Sequence, residues 1–319
     1  MSSEKSAINM LIEGILAGEK GALARGISIV ENNRQEKEEL VSLLYGKLGK
    51  AHRIGITGPP GVGKSTLTLQ LAKACRAQNK SIGIVAVDPT SPFTGGALLG
   101  DRIRMYELFN DPEVFIRSMA TRGSIGGLAA AAAEAGDLLD ASGKSVIFFE
   151  TVGTGQSELD VAEACDTVLL MLAPESGDSV QTLKAGFMEI ADLIVINKAD
   201  RDGADKTEIE IKTTLSLREP QEWEIPVIKT IATQNEGTDE VVRHIEKHYT
   251  YLKHNHTLEK RRREKLVRRV KSIVRSLLHD AFWTEEKLSN LKKIGESESV
   301  SNRSPYTIAR DLVRKFLQE

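Results

Sequence analysis

The stretch RIGITGPPGVGKST, residues 53–66, decides the fold that we predict for this chain. RIGIT reads as a short apolar strand, and GPPGVGKST fits the pattern G-x-x-x-x-G-K-[ST] at the point where a strand runs into a helix. The glycines let backbone N–H groups turn inward around phosphate oxygens. Lys64 brings a positive charge to the β- and γ-phosphates, and the hydroxyl of Ser65 is placed for Mg²⁺. The residues predicted to bind a nucleotide in this loop are Gly61, Val62, Gly63, Lys64, Ser65 and Thr66.

Six further β-rich runs alternate with helical stretches up to about residue 250. They are SIGIVAV (81–87), VFIRS (114–118), SVIFFE (145–150), TVLLMLA (167–173), LIVIN (193–197) and PVIK (226–229). Most are continuous apolar runs rather than alternating ones, which is typical of parallel strands covered by helices on both faces. We therefore predict an α/β fold with a mostly parallel, doubly wound sheet.

Three regions are expected along the chain. Residues 1–50 form an N-terminal helical extension, because INMLIEGIL and KEELVSLLYGKL space their apolar residues at three and four. Residues 51–252 form the nucleotide-binding domain, and residues 253–319 form a C-terminal helical arm. The last helix of that arm is expected to start near Ser304-Pro305.

Composition narrows the function classes. The chain has 319 residues, 40% hydrophobic and 28% charged, with a net charge of −2. That charge gives no global electrostatic case for binding nucleic acid or an acidic membrane. No apolar run approaches the length of a membrane span, and the N-terminus MSSEKSAINM shows no apolar signal region. Cys75 and Cys165 are expected to be buried thiols in a reducing cytoplasm.

The base of the nucleotide is predicted from LIVINKAD, residues 193–200. The carboxylate of Asp200 can accept hydrogen bonds from N1–H and the exocyclic amine of guanine, and adenine has no matching donors. Lys198 can lie over the ring, and Asn197 can tie this loop to the phosphate loop. An NKxD motif after a late strand of a P-loop protein therefore predicts guanine, so that GTP and GDP are the expected ligands.

Three carboxylates are candidates for the metal site. Asp88 and Glu150 stand at the carboxyl ends of predicted strands, and Asp101 follows a loop that contains glycines. Ligands of parallel α/β sheets bind beyond those strand ends, so the three carboxylates can converge beside Ser65 around Mg²⁺. Glu150 is one methylene longer than the Asp of most GTP-hydrolysing switches. It can act as an outer ligand or hold a water. The alternative for Asp101 is an ion pair with Arg102 or Arg104 in a solvated loop.

Two other features have ordinary structural explanations. His244, His248, His254 and His256 lack a carboxylate or cysteine that would complete a metal site, so we interpret them as part of a solvated helix and turn. The basic run 259–276 repeats apolar residues at helical spacing. It therefore favours an amphipathic helix that packs on a partner subunit over a nucleic-acid site.

At the level of whole motifs the chain resembles the MeaB/ArgK/MMAA family of P-loop GTPases, of the SIMIBI class. The resemblance rests on GITGPPGVGKSTL, VDPTSPFTGGALLGDRIRM, ETVGTGQSELDVAEACDTV, GDSVQTLKAGFMEIADLIVINKAD and SPYTIARDL. It spans nearly the whole chain. The family implies a GTPase that chaperones adenosylcobalamin-dependent acyl-CoA mutases, such as methylmalonyl-CoA mutase or 2-hydroxyisobutyryl-CoA mutase. It also implies a homodimer whose C-terminal arm embraces the other subunit, and no cobalamin is expected on this chain itself.

The resemblance also assigns residues. It implies that Lys64 and Ser65 hold phosphate and Mg²⁺, that Asp88, Asp101 and Glu150 surround the metal, and that Asn197, Lys198 and Asp200 read guanine. Residues 175–186 correspond to a third switch that couples the nucleotide to the mutase. Its members of interest are Asp178, Gln181 and Lys184.

Three positions depart from the family pattern. Met119-Ala120 stand where the family tends to carry Pro-Ser. Ile231 stands where a Ser-Ala pair usually supports the guanine oxygen, and the backbone amide of Ala232 is the expected substitute. Glu175-Ser176 replace small residues at the start of the third switch.

Slow intrinsic hydrolysis is expected. No Gln directly follows the glycine of ETVG, since Gln156 lies three residues later. The phosphate loop has no arginine that could stabilise the transition state, and Arg104, next to the acidic loop, is a candidate for that role. A partner that orders the switches would then accelerate turnover. Two alternatives remain. A nickel-delivery GTPase of the hydrogenase or urease type would require a His-rich tract or paired Cys. A P-loop kinase would require a site for the phosphate acceptor.

Overall fold

The computed structural model describes residues 2–32, 35–88, 105–120, 127–151, 164–174, 187–219, 221–296 and 304–316. The chain divides into two compact units, Met1–Arg262 and Arg263–Glu319. The N-terminal helices and the sheet thus belong to one compact unit. The division into three regions stays a prediction about function and folding.

The first unit is built on one sheet of seven parallel strands in the order β3-β2-β4-β1-β5-β6-β7. The strands are β1 His52–Thr57, β2 Ile82–Asp88, β3 Val114–Ala120, β4 Val146–Glu150, β5 Thr167–Leu172, β6 Leu193–Asn197 and β7 Val227–Thr230. Each lies within two residues of a predicted run. The doubly wound α/β fold is therefore confirmed.

Helices connect the strands and extend both ends of the chain. They are α1 Ser2–Leu16, α2 Lys20–Glu31, α3 Lys37–Leu44, α4 Lys64–Ala77, α5 Gly127–Ala141, α6 Phe187–Ile190, α7 Ala204–Ser216, α8 Thr238–His254, α9 Thr257–Phe282, α10 Glu285–Glu296 and α11 Pro305–Phe316. None of the helices in the described part of the chain combines the length and apolar character that a membrane span requires.

Both faces of the sheet are buried, and this explains the continuous apolar runs. On one face, side chains such as Ile56 and Phe148 pack with Leu67 of α4 and Val241 of α8. On the other face, Val85 and Phe149 pack with α5 and with the three N-terminal helices. Parallel strands covered in this way have no solvent-exposed face, so apolar and polar residues do not alternate along them.

The carboxyl ends of the strands gather the predicted site residues at one edge of the sheet. The phosphate loop follows β1, Asp88 ends β2, Glu150 ends β4 and Asn197 ends β6. Since β4 and β5 flank β1 on opposite sides, the loop after β1 lies where the strand order changes direction. This is the usual ligand position in open α/β sheets.

The amino edge of the sheet holds the first turns of α9. Arg262 binds the buried carboxylate of Asp166, just before β5, with Nε 2.9 Å from Oδ1 and one Nη 2.7 Å from Oδ2. Arg261 lies 2.9 Å from Oδ1 of Asp192, just before β6. Arg262 also donates to the carbonyl oxygens of Gly49 and Ala51. We call Arg261 and Arg262, with the carboxylates of Asp166 and Asp192, the arginine clamp.

A chain of buried polar side chains lies beside the clamp, and it corrects our interpretation of His248. This histidine is fully buried, not solvated. Its Nδ1 lies 2.9 Å from Thr167 Oγ1, and its Nε2 lies 3.2 Å from Asp192 Oδ1. The hydroxyl of Thr167 also lies 2.7 Å from Nε2 of His52, whose ring stacks on Tyr249. Within the described residues no group of three His, Cys, Asp or Glu side chains that could hold a metal ion is found.

The buried position of His52 predicts a loss of stability in acid. Burial lowers the pKa of His52 to about 3, so the unfolded chain takes up a proton below about pH 6.5 that the folded chain does not. Stability therefore decreases as the pH falls from 6.5 towards 3, by up to ~1.4 kcal/mol per pH unit. Between pH 6.5 and 4.5 we expect His52 to account for about 2–3 kcal/mol.

The test is urea unfolding, followed by circular dichroism at both pH values. His52→Gln keeps a hydrogen-bonding side chain without this titration and should lose about 2–3 kcal/mol less than the wild type. His254→Gln, at an exposed position of α8, is the control and should behave as the wild type. An equal loss in wild type and His52→Gln would contradict the prediction.

Cys75 and Cys165 are buried thiols, as predicted. The second unit consists of the rest of α9 with α10 and α11. Ser304 caps α11, since its Oγ accepts a hydrogen bond from Thr307 N at 3.2 Å, and the predicted start of the last helix is confirmed. Phe316 packs edge-on against Phe282 with ring centroids 5.1 Å apart.

Candidate nucleotide-binding site

The phosphate loop is packed so closely that two of its glycines have no room for a side chain. Gly58 has φ +141°, and a Cβ atom there would lie 2.1 Å from the carbonyl oxygen of Met171, at the end of β5. Gly63 has φ +98°, and a Cβ atom there would lie 2.3 Å from Nδ2 of Asn197. Only glycine adopts these positive φ values without strain. The loop is thus fitted between the end of β5 and the predicted guanine loop.

Lys64 begins α4 and is 6% exposed. Its Nζ donates to the carbonyl oxygens of Gly58 and Pro59 at 2.7 and 2.9 Å. These bonds hold the ammonium group against the loop, where the amino end of α4 adds the positive end of the helix dipole. Such an arrangement favours the binding of negatively charged phosphate groups.

Ser65 and Glu150 form the best-defined pair of the predicted metal site. Ser65 Oγ donates to Glu150 Oε1 at 2.5 Å, and Glu150 is 5% exposed. A hydroxyl oxygen and a carboxylate oxygen at one buried point are ligands that Mg²⁺ prefers, so this donor set fits the cation. The pair also shows that the long side chain of Glu150 reaches from the end of β4 to the first turn of α4.

The guanine loop is tied to the phosphate loop by Asn197. Its Nδ2 donates to the carbonyl oxygen of Val62 at 2.7 Å, and its Oδ1 accepts from Thr230 Oγ1 at 3.1 Å. The predicted tie between the two loops is confirmed. No sequence motif marks Thr230. Its one available signal is a hydroxyl residue at the end of the last strand.

The backbone around Asp200 presents its side chain outward. Lys198 has φ +59°, a left-handed conformation that is uncommon for a residue with a side chain, and such outliers concentrate at functional sites. The turn is held by Ala199 N donating to Thr230 O and by Arg201 N donating to Lys198 O. Asp200 is exposed, so its carboxylate is accessible to a nucleotide base.

The amide of Ala232 is already engaged. It donates to Asn197 Oδ1 at 3.0 Å, while the amide of Ile231 donates to Glu236 O at 3.1 Å. The expected contact of Ala232 with the guanine oxygen stays a prediction. It requires this amide to share or change its acceptor when the base binds.

Several predicted site residues lie outside the described residues. They are Asp101, Arg104, Gln156, Asp178, Gln181 and Lys184. For Asp88 the structure gives the backbone position at the end of β2 but not the side chain. The structure therefore brings together Lys64, Ser65, Glu150 and Asn197, and the other assignments stay predictions.

Comparison with known proteins shows the family to which the chain belongs. A family model described as "Methylmalonyl Co-A mutase-associated GTPase MeaB" matches residues 23–287. The chain belongs to the MeaB family. It is a GTPase of the MeaB and MMAA type, as the resemblance implied.

Individual relatives agree with this membership. A protein of Pyrococcus abyssi that is named as a GTPase is 45% identical over 314 residues, which cover 97% of each chain. The methylmalonic aciduria type A homolog, mitochondrial, of Caenorhabditis elegans is 32% identical over 97% of this chain and 83% of that protein. A crystal structure described as LAO/AO transport system kinase is 27% identical, covers 98% of both chains and has a TM-score of 0.74.

Proposed function

We propose that this MeaB-family chain hydrolyses GTP to GDP and phosphate as the chaperone of an adenosylcobalamin-dependent acyl-CoA mutase. The observation that carries the GTP assignment is the position of Asn197, which joins the base-reading loop to the phosphate loop through Val62 O. A single nucleotide can therefore engage both loops. The mutase is supported by the family description and by the relative named for methylmalonic aciduria.

The residues have separate tasks in this mechanism. Lys64 neutralises charge on the β- and γ-phosphates, and the N–H groups of the loop orient them. Ser65 and Glu150 would hold Mg²⁺, with Asp88 and Asp101 as further candidates, and the cation supplies neutralisation of phosphate charge when bound. Ser65 donates its hydroxyl proton to Glu150, so the lone pairs of its Oγ would stay available to the cation. Asp200, Lys198 and Asn197 fix the base so that the phosphates stay in register.

The proposed chaperone role needs a connection between the third switch and the phosphates. The segment 175–186 follows the end of β5, and in the structure that end touches the phosphate loop where Gly58 approaches Met171 O. A partner that shifts the third switch can therefore bias the loop through this contact. We propose that the chain is slow alone and that the mutase accelerates it in this way.

The exposed apolar side chains of α9 support a homodimer. They are Leu266, Val267, Val270, Ile273, Val274, Leu277 and Leu278, each between 41% and 55% exposed. A stripe of this length on a charged helix is typical of a face that binds another protein. We propose that a second copy covers it, and sedimentation of the full chain tests this.

The coupling is tested with Lys184→Ala and Glu150→Ala. Lys184→Ala should keep the wild-type GTP affinity and the slow basal turnover of the wild type. It should lose most of the acceleration by the mutase. For a coupling of ~1–3 kcal/mol, that acceleration is about 5- to 150-fold. Glu150→Ala should lower both basal and stimulated hydrolysis, because it removes a group from the metal site. The measurement is steady-state phosphate release with and without methylmalonyl-CoA mutase or a related acyl-CoA mutase.

Lys212→Ala serves as the control, since this lysine lies on α7 and pairs with Glu208 at the surface. It should be stimulated as fully as the wild type. Full stimulation of Lys184→Ala would remove the third switch from the mechanism. A wild-type protein that no acyl-CoA mutase stimulates would contradict the chaperone role while leaving the GTPase assignment intact.

A further inference from the structure

Ser118 on β3 is a buried hydroxyl that neither the sequence motifs nor the site described so far explains. It is 8% exposed, and across the described part of the chain its Oγ has no hydrogen-bonding partner. Buried hydroxyl groups are nearly always hydrogen-bonded, because an unpaired one keeps the cost of leaving water without compensation. An exception of this kind calls for a further partner, such as a water or a ligand.

The sheet register places Ser118 in line with Glu150. Ser118 pairs with Ala86 of β2, and Ala86 pairs in turn with Glu150 of β4. Residues that are paired across neighbouring strands project from the same face of a sheet. Ser118, Ala86 and Glu150 therefore form one row across three strands.

The packing identifies the face on which this row lies. Val114 and Ile116, which alternate with Phe115 along β3, pack in the core that includes Leu67 of α4. Phe115 and Met119 pack on the opposite side with the N-terminal helices. Ser118 thus shares the face of α4, and it is on this face that Glu150 accepts the hydrogen bond of Ser65.

The register places one whole strand, β2, between the two side chains. Strands are about 4.8 Å apart, so Ser118 and Glu150 are separated by roughly 10 Å across the row, too far for a direct hydrogen bond. The residue between them is Ala86, which contributes only a methyl group. A water that contacts one end of such a gap needs two to four polar partners, and Ser118 offers one.

We propose that Ser118 is a positioning residue of the GTP·Mg²⁺ site, whose hydroxyl holds a water molecule in the hydration shell of the cation on the β2–β3 side. Mg²⁺ in nucleotide sites usually keeps several waters, and groups that orient the shell tune its affinity. Ser118 contacts neither phosphate nor metal. This inference rests on the proposed GTPase function and adds a residue to its metal site.

The proposal predicts effects of opposite sign with and without the ligand. In the nucleotide-free protein Ser118→Ala removes an unpaired buried hydroxyl, so the melting temperature should stay the same or rise by about 2 °C. With GDP bound, the Mg²⁺ concentration that gives half-maximal slowing of GDP release should rise about tenfold. Release of GDP in EDTA should be unchanged, because the base and phosphate contacts remain.

The experiment follows release of a fluorescent GDP analogue from the full chain during a Mg²⁺ titration, together with thermal melts. Ser118→Cys, of nearly the same size and with a weak donor, is the second variant and should shift the titration in the same direction. Thr238→Val is the matched control. Thr238 carries the other buried hydroxyl that has no partner in the described residues, and it begins α8 away from the row. It should leave the Mg²⁺ titration unchanged.

A wild-type Mg²⁺ midpoint in both Ser118 variants would overturn the proposal. So would a lower melting temperature of nucleotide-free Ser118→Ala with an unchanged midpoint, because that result shows a hydroxyl that only supports the fold. Failure of the wild type itself to bind GDP would instead contradict the proposed function. These outcomes are distinguishable in the same set of measurements.

Discussion

Lys64→Ala is expected to lower the rate of GTP hydrolysis by about a hundred- to a thousandfold, the usual cost of removing a group that stabilises charge in the transition state. Lys64 is buried at the start of α4, and its ammonium group is held against the carbonyl oxygens of Gly58 and Pro59. A water molecule cannot replace it there, because it would bring no positive charge to the phosphates. The measurement is single-turnover phosphate release.

Lys73→Ala is the matched control, since Lys73 lies on the same helix but pairs with Glu107 at the surface. It should hydrolyse GTP at the wild-type rate. Circular dichroism should show that Lys64→Ala remains folded. If folded Lys64→Ala kept wild-type turnover, the loop 58–66 would not be the active site.

Asp200→Asn is expected to weaken GTP binding by about a hundredfold or more. Two hydrogen bonds from guanine to a carboxylate are each worth roughly 1.5–3 kcal/mol. The amide of Asn offers only one acceptor oxygen, and its NH₂ group would face the second N–H donor of guanine. The side chain is exposed on a turn fixed by Ala199 and Arg201, so the substitution should not disturb the fold. Calorimetric titration with GDP and GTP measures the loss.

The variant also makes a positive prediction, because xanthine carries a carbonyl where guanine carries the exocyclic amine. The amide of Asn at position 200 can donate to that carbonyl, so Asp200→Asn should prefer xanthosine triphosphate to GTP. Asp202→Asn removes a neighbouring exposed carboxylate and should keep the preference for GTP. Unchanged GTP affinity in Asp200→Asn would show that another residue reads the base.

The central strand, its loop and the helix after it could be predicted from the sequence because each uses a strong local signal. Gly58 and Gly63 occupy backbone conformations and close contacts that only glycine tolerates, and Lys64 and Ser65 follow at fixed spacing. The strands could be predicted because both faces of the sheet are buried. Strands of this kind have continuous apolar sequences, which surface segments do not have. Asn197 could be placed for the same reason, at the end of such a run.

Other features depend on tertiary packing that no local pattern records. His248 has the sequence surroundings of a charged surface helix, and it is buried because Trp223 and Asp192 cover it. Ser118 follows Arg117 in an otherwise apolar strand, and only the register with Glu150 suggests a role for it. The segment 175–186 has no regular periodicity, and the family resemblance alone assigned it a role.

The arginine clamp limits where this polypeptide can be shortened. A fragment that stops at Leu252, the predicted end of the nucleotide-binding domain, would lack both Arg261 and Arg262. It would leave the buried carboxylate of Asp166 without the guanidinium of Arg262, and taking one partner from a buried ion pair is among the costliest changes a protein interior can suffer. The first six residues of α9 are therefore part of the nucleotide-binding unit in energetic terms. A fragment meant to isolate that unit should therefore end beyond Arg262, within α9, and not in the turn between α8 and α9.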